Sequence, residues 1–147
     1  MDVQSVSPSD REVWLDMRGH LWPGSLSSHT REVDRFFSGQ ARDPLAALIA
    51  KDETGRALGF AELSIRSYAE GCTTDHVAFL EGWFVVPDAR GRGIGRALIA
   101  ACEDWGRSQG CSEFASDAQP DNVTSTAAHL ALGFIDEGLV RCFSKKL

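Results

Sequence analysis

The chain has 147 residues, 43% of them hydrophobic and 24% charged, and a formal net charge of −6 at pH 7. That length suits one domain over residues 1–147 with a core of its own. The acidic balance argues against a nucleic-acid backbone as partner and suits a cationic one, and no apolar run is long enough to span a bilayer. The amino-terminal MDVQSVSPSDRE lacks a basic segment followed by an apolar core, so a cytoplasmic protein is expected. Cys72, Cys102, Cys111 and Cys142 are scattered, with no CxxC pair and no metal-ligand spacing. Their even number leaves a disulfide open, but reduced, mostly buried thiols are the expectation in a reducing compartment, with no metal.

In chain order, VQSV is a short strand candidate. Ser9 and Glu12 then stand at capping-box spacing and open a helix that carries Val13, Trp14, Met17 and Leu21 to one side. WPGS stops it. HTREVDRFFSG forms a second helix with Val33, Phe36 and Phe37 inward and Gly39 at its end. PLAALIAK and RALGFAELSIRS form a hairpin across DETG, and SYAEGCTTD is a loop. HVAFLEGWFVV is nearly continuous in apolar residues, as a central strand is. From Ile94 the period becomes helical through Ala97, Leu98, Ala101 and Trp105, up to Gly110. CSEFASDA reads as a strand, residues from about Asp121 to Gly133 as a helix, and LVRCFSKKL as a closing strand. The resulting β-α-α-β-β-β-α-β-α-β order describes an α/β (α+β) domain with helices packed on a largely antiparallel sheet.

Between the central strand and the third helix lies VVPDARGRGIGR. Gly91, Gly93 and Gly95 leave the backbone bare, so that N–H groups can face an anion with the positive helix end behind them. Arg90, Arg92 and Arg96 add charge. Several donors along a curved loop suit a pyrophosphate, although an isolated GxG with solvated arginines is the commoner reading. The pattern is neither a Walker A loop nor the GxGxxG dinucleotide fingerprint.

Arg90 to Gly95 match Gln/Arg-x-x-Gly-x-Gly/Ala, and here the chain resembles the GCN5-related N-acetyltransferase (GNAT) superfamily. The resemblance implies a central mixed sheet with a splayed, acetyl-CoA-binding strand pair. Arg90, Gly91, Arg92, Gly93, Ile94, Gly95 and Arg96 would hold the pyrophosphate of acetyl-CoA. The preceding strand would bulge near Gly82 and lay Trp83, Phe84 and Val85 along the pantetheine arm. Asn122 matches the asparagine that meets the coenzyme, and Leu132–Gly133–Phe134 the ending of that helix.

LWPG, FLEG, ASDAQPDN and HLALGF resemble a narrower group, the short aminoglycoside 6'-N-acetyltransferases. The acceptor implied is a cationic aminoglycoside, and a homodimer is expected by analogy. By resemblance, Trp22 lines the sugar cleft, Glu81 and Asp117 meet the antibiotic's amines, and Tyr68 is a weaker match in a loop one residue short. Chemistry adds that an ionised Glu81 in an apolar strand needs a partner. Other readings stand beside these: Trp22 as helix-end packing, Glu81 as a structural ion-pair partner, Asp117 as a cap before Pro120.

The implied reaction is attack of a neutral amine on a thioester, with a freed strand N–H polarising the carbonyl and proximity supplying much of the rest. An alkylammonium has a pKa of ~10, so a proton must leave first, and Glu81 is the candidate base, unless it only binds charge. Many GNAT members place a tyrosine acid where this chain has His129, which is either the acid or a core residue. Other expectations on the same scaffold are a polyamine or protein amine as acceptor, or an acyl-CoA-binding module without turnover.

Overall fold

In the computed structural model, residues 1–24, 26–41 and 43–147 are described. They fall into two compact units, Met1–Ser116 and Asp117–Leu147.

The first unit holds a five-stranded sheet in the order β1 (Asp2–Ser5), β2 (Ala46–Lys51), β3 (Ala57–Arg66), β4 (Val77–Val85), β5 (Phe114–Ser116). Neighbours are antiparallel except β4 and β5, which run parallel through α3 (Ile94–Ser108). Helices α1 (Arg11–Leu21) and α2 (Leu26–Phe37) precede β2.

Alternation along the strands separates two faces. Ile49, Phe60 and Phe84 stand in one cross-strand row, joined in a single core by Trp14, Leu15 and Met17 of α1 and Val33 of α2. The opposite face meets α3: a Cβ placed on Gly59 would lie 3.3 Å from Leu98 Cδ1, and one on Gly106 3.0 Å from Ala78 Cβ. Cys102 belongs to this side of α3, and burial pushes its thiol up to about 12, so it packs as a small hydrophobe.

Several expected boundaries are corrected. The capping pair is Ser7 with Asp10, whose Oδ2 accepts from both the Ser7 N–H and hydroxyl at 2.9 Å, and not Ser9 with Glu12. Val13 is exposed, because the buried stripe of α1 is Trp14, Leu15, Met17 and Arg18. Helix α2 begins at Leu26, ahead of the expected His29, since Leu26, Ser27 and Ser28 carry no inward apolar period. Ser25 of the WPGS stop lies outside the described residues. Strand β5 has three residues and not the eight of CSEFASDA.

The second unit contains α4 (Val123–Ala131). Asn122 caps it, its side-chain oxygen accepting from Ser125 N–H at 3.1 Å. Residues 139–147 form no strand. A strand lives on N–H and C=O groups paired with another strand, and none of the described residues of this unit supplies one. Leu139, Val140, Phe143 and Leu147 are exposed. No helix among the described residues is long and apolar enough to cross a membrane.

Candidate active site

Strand β4 organises the site through one irregularity. Its register against β3 runs Glu62↔Gly82 and then Leu63↔Leu80, so Glu81 is the extra residue of a β-bulge. Gly82 was the residue expected there, one position along. Strict alternation would turn Glu81 toward α3. The bulge instead puts it on the face shared with Glu62, Ser64 and Arg66, where Arg66 Nε and Nη2 donate to Glu81 Oε1 and Oε2 at 3.0 and 2.8 Å. The Ser64 hydroxyl donates to Oε1 as well. Arg66 is steadied in turn by the Phe79 ring, 3.6 Å from its guanidinium carbon.

At the same place β4 and β5 part company. Their ladder comprises Ala78↔Phe114, Phe79↔Ala115 and Leu80↔Ser116, while β4 continues to Val85. The pairing thus stops at Leu80, next to the bulge, and β4 runs on to Val85 without β5 beside it.

A cavity of about 320 Å³ adjoins the bulge, lined by Arg18, Trp22, His29, Glu32, Asp43, Pro44, Glu62 and Glu81. Four acidic side chains line it, opposed by Arg18 in the lining and by the Arg66 that clamps Glu81, so acids outnumber bases in its wall. Arg18, 4% exposed, sits beneath it: Nε lies 3.1 Å from Glu62 Oε1, Nη2 pairs with Glu32, and its guanidinium covers the Trp22 ring at 5.2 Å. His29 fixes the other side of Trp22, its ring stacked at 6.3 Å and its Nε2–H donating to Trp22 O at 2.9 Å. Burial first, and then the Glu81 charge, hold the Asp43 carboxyl above its ordinary range. A hollow of about 550 Å³ between α1 and α2, lined by Arg11, Glu12, Asp16 and His20 among others, borders no strand.

Glu62 is the most buried of these acids, at 2% exposure. Burial pushes its carboxyl from 4.5 up to about 7, against the pull of Arg18 and of the Trp14 Nε1–H that donates to Oε1 at 3.0 Å. Between pH 4.5 and about 7 the folded protein therefore retains a proton that the unfolded chain has released, and stability falls as pH rises across that window. The shift corresponds to about 3 kcal/mol. A Glu62→Gln protein lacks this dependence, so its melting temperature should gain on the wild type as pH rises through the window and level off above it. A constant difference at every pH would contradict this.

Beyond β4, Pro87–Ala89 form one 3₁₀ turn, held by Arg56 Nη2 to Asp88 at 2.7 and 2.8 Å. Gly91 and Gly93 have φ of +73° and +82°, a region closed to most side chains. Gly93 caps α3, and the ladder starts with Ala97 N–H to Gly93 O at 3.0 Å. The amides of Gly93, Ile94, Gly95 and Arg96 thus precede the first helical bond. Arg92 and Arg96 are exposed, while Arg90 Nε–H donates to Val85 O at 2.9 Å. Ile94 is buried, so only its amide faces outward, and Gly95 lets α3 rest on Trp83, whose Cζ2 would be 3.0 Å from a Cβ there. Phe84 turns its side chain into the core, which leaves its backbone for a ligand. The open space at Gly91 and Gly93, with bare amides and the positive end of α3 beside it, is of the kind that accepts a phosphate anion.

A model of the Acetyltransferase (GNAT) family matches residues 13–134. The chain belongs to the GNAT acetyltransferase family. Among GNAT relatives, the aminoglycoside N(6')-acetyltransferase type 1 of Klebsiella aerogenes is 54% identical over 99% of this chain and 96% of that protein. A solved structure of AAC(6')-Iy, in complex with the bisubstrate analogue CoA-S-monomethyl-acetylneamine, superimposes with a TM-score of 0.91 at 39% identity, covering 99% of this chain and 98% of that one. The apo structure of the aminoglycoside 6'-N-acetyltransferase AAC(6')-IG of Acinetobacter haemolyticus gives 0.91 at 37% identity over 100% and 99%. The GNAT fold expected from the sequence is thereby established.

Of the other residues singled out in the sequence, Trp22 and Glu81 meet in the cavity. Tyr68 does not line it: it is 66% exposed and its hydroxyl bonds to Glu70, which raises its pKa. Asp117 follows β5 directly and is exposed. His129 Nδ1–H donates to Ser125 O at 2.7 Å, and its ring meets Phe134 edge-on at 5.0 Å. Sequence reasoning missed Arg18, His29, Glu32, Asp43 and Glu62. For Glu62 a signal existed: alternation through Leu58, Phe60 and Glu62 sets an acid at an inward position.

Proposed function

We propose that this protein transfers the acetyl group of acetyl-CoA to the 6'-amine of aminoglycosides and so confers resistance to them. The observation that carries this is the double use of β4: its bulge aims Glu81 into an acidic cavity, and its end runs into the bare amides and arginines of Arg90–Arg96. The names of the relatives and the bisubstrate complex of AAC(6')-Iy support the same pairing of donor and acceptor.

Acetyl-CoA supplies the acetyl group as a thioester. Amides from Gly91 to Arg96 would hold its pyrophosphate, with Arg92 and Arg96 adding charge. The backbone of Trp83, Phe84 and Val85 would take the pantetheine arm, and Asn122 a further contact. On the acceptor side Trp22 would cover a sugar ring and Glu81 and Asp117 would bind ammonium groups, while Tyr68, outside the cavity lining, would meet only a part of the acceptor that projects from it. His129, whose Nδ1–H is given to Ser125 O, would be the residue that hands a proton to the leaving thiolate.

The whole chain would act as one cytoplasmic domain and as a homodimer, a state supported by the exposed apolar side chains of Leu139, Val140, Phe143 and Leu147.

Thiol release from acetyl-CoA tests the function, with kanamycin compared against its 6'-hydroxyl analogue. Turnover with the 6'-amine alone is expected. Turnover with neither compound, but with spermidine or a lysine peptide, would keep the chemistry and reject the acceptor. Coenzyme binding without turnover on any amine would leave a binding module.

A further inference from the structure

We propose that Glu62, and not Glu81, accepts the proton of the attacking amine; this rests on the acetyl-transfer reading above. The two acids differ in which of their oxygens are engaged. Both protein contacts of Glu62 fall on Oε1, from Trp14 Nε1 at 3.0 Å and Arg18 Nε at 3.1 Å. The carboxylate is thus anchored by one oxygen, and Oε2 takes part in neither contact, while the residue lines the acidic cavity. Its position suits the chemistry: Glu62 stands directly opposite Gly82, beside the bulge at which β4 leaves β5.

Glu81 has the opposite character. Oε1 accepts from Ser64 and Arg66, and Oε2 accepts from the second arm of the same guanidinium. A proton arriving on Glu81 would have to displace a bidentate arginine pair. Clamped in this way, Glu81 is fixed in place at the cavity wall, where it can hold an ammonium group.

The groups facing Glu62 are Arg18 from α1, Glu32 and His29 from α2, Asp43 from the segment before β2, and Glu81 from β4. Burial and the surrounding acids oppose ionisation, Arg18 favours it, and the balance at about 7 populates both forms near neutrality. One N–H bond of the acceptor ammonium breaks as an O–H bond forms on Glu62 Oε2. The freed nitrogen lone pair bonds to the thioester carbonyl carbon, and the C–S bond breaks with its electron pair on sulfur. The second proton shed by nitrogen neutralises the thiolate, and Glu62 returns its own to water.

The test is kcat/KM for kanamycin from about pH 5.5 to about 10 in the wild type, Glu62→Gln and Trp14→Phe, with acetyl-CoA affinity measured alongside. The wild type should show a limb rising through about 7. Glu62→Gln should lose about 100-fold at neutral pH, lose that limb, and approach the wild type near the pKa of the amine, ~10, where the nucleophile forms unaided. Coenzyme affinity should stay within about twofold, because no contact of Glu62 reaches the glycine loop. Trp14→Phe removes a hydrogen bond to the charged form and should move the limb upward, which keeps the test decisive if Glu62→Gln does not fold. A purely structural Glu62 would lower activity equally at every pH. That result overturns the inference, as does a limb persisting in Glu62→Gln, a limb unmoved in Trp14→Phe, or a wild type with no limb between about 6 and about 8. A wild type inactive with kanamycin, spermidine and lysine peptides would overturn the acetyl-transfer reading and this inference together; unchanged variants of an active wild type overturn this inference alone.

Discussion

Gly93→Val should abolish acetyl-CoA binding, by about 1000-fold or more, in a protein that still folds. Two effects combine. The φ of +82° at Gly93 is hostile to a β-branched residue, and holding one there costs about 1–3 kcal/mol. A Cβ at this position nevertheless meets no protein atom within 4 Å, so the helix loses no packing to a clash. What the side chain enters is the open space beside the α3 amides, where the phosphates would lie. Relief of strain by rotating the backbone would turn those amides away, with the same result for the ligand. Calorimetry with CoA, beside circular dichroism and a melting curve, reads both effects. A folded Gly93→Val protein with wild-type affinity would show that the loop is not the anion site.

The loop was legible because its information is local. Glycine spacing, arginines and the change of period at Ile94 all lie within a dozen residues, and α3 begins at Ile94 as the sequence indicates. Glu81 was visible too, as a charge interrupting an apolar strand. The bulge that aims it is implied only by the family resemblance and one position away, near Gly82, because which residue is extra in a ladder depends on the partner's register, and β3 carries no mark of it. Likewise Arg18, Glu32, Asp43 and Glu62 come from two helices, a loop and a strand, and only tertiary packing makes them one wall. Arg18 reads as polar surface on α1 because its neighbours Asp16, Gly19 and His20 do, yet it is four residues after Trp14 and on the same buried stripe. The closing strand shows a limit of another kind. LVRCFSKKL has strand composition, but composition provides no partner, and residues 139–147 remain without regular structure.

Gly82 lies next to the bulge, and its bare Cα has a use there other than the one expected. It was expected as the bulge residue, yet its φ is not positive and the extra residue is Glu81. The bare Cα serves Trp22 instead. A Cβ there would lie 2.8 Å from Trp22 Cζ2, closer still to Cη2, and 3.4 Å from Leu21 Cδ2. The indole has little freedom to yield, being covered by the Arg18 guanidinium on one side, stacked against His29, and set edge-on to Phe60 at 6.3 Å. Gly82→Ala should therefore drive the ring out of its place in the cavity wall, at an overpacking cost of about 1–3 kcal/mol. If Trp22 covers a sugar ring of the acceptor, kanamycin KM should rise about 10-fold to about 100-fold, while acetyl-CoA affinity, read at the far end of β4, changes by less than about twofold. The cause can be isolated by repeating the substitution in a Trp22→Leu background. With no indole to displace, the alanine should add almost nothing, and the two effects should be strongly non-additive. Full additivity, or an unchanged KM in the single variant, would mean that the Gly82–Trp22 contact does not shape the acceptor site.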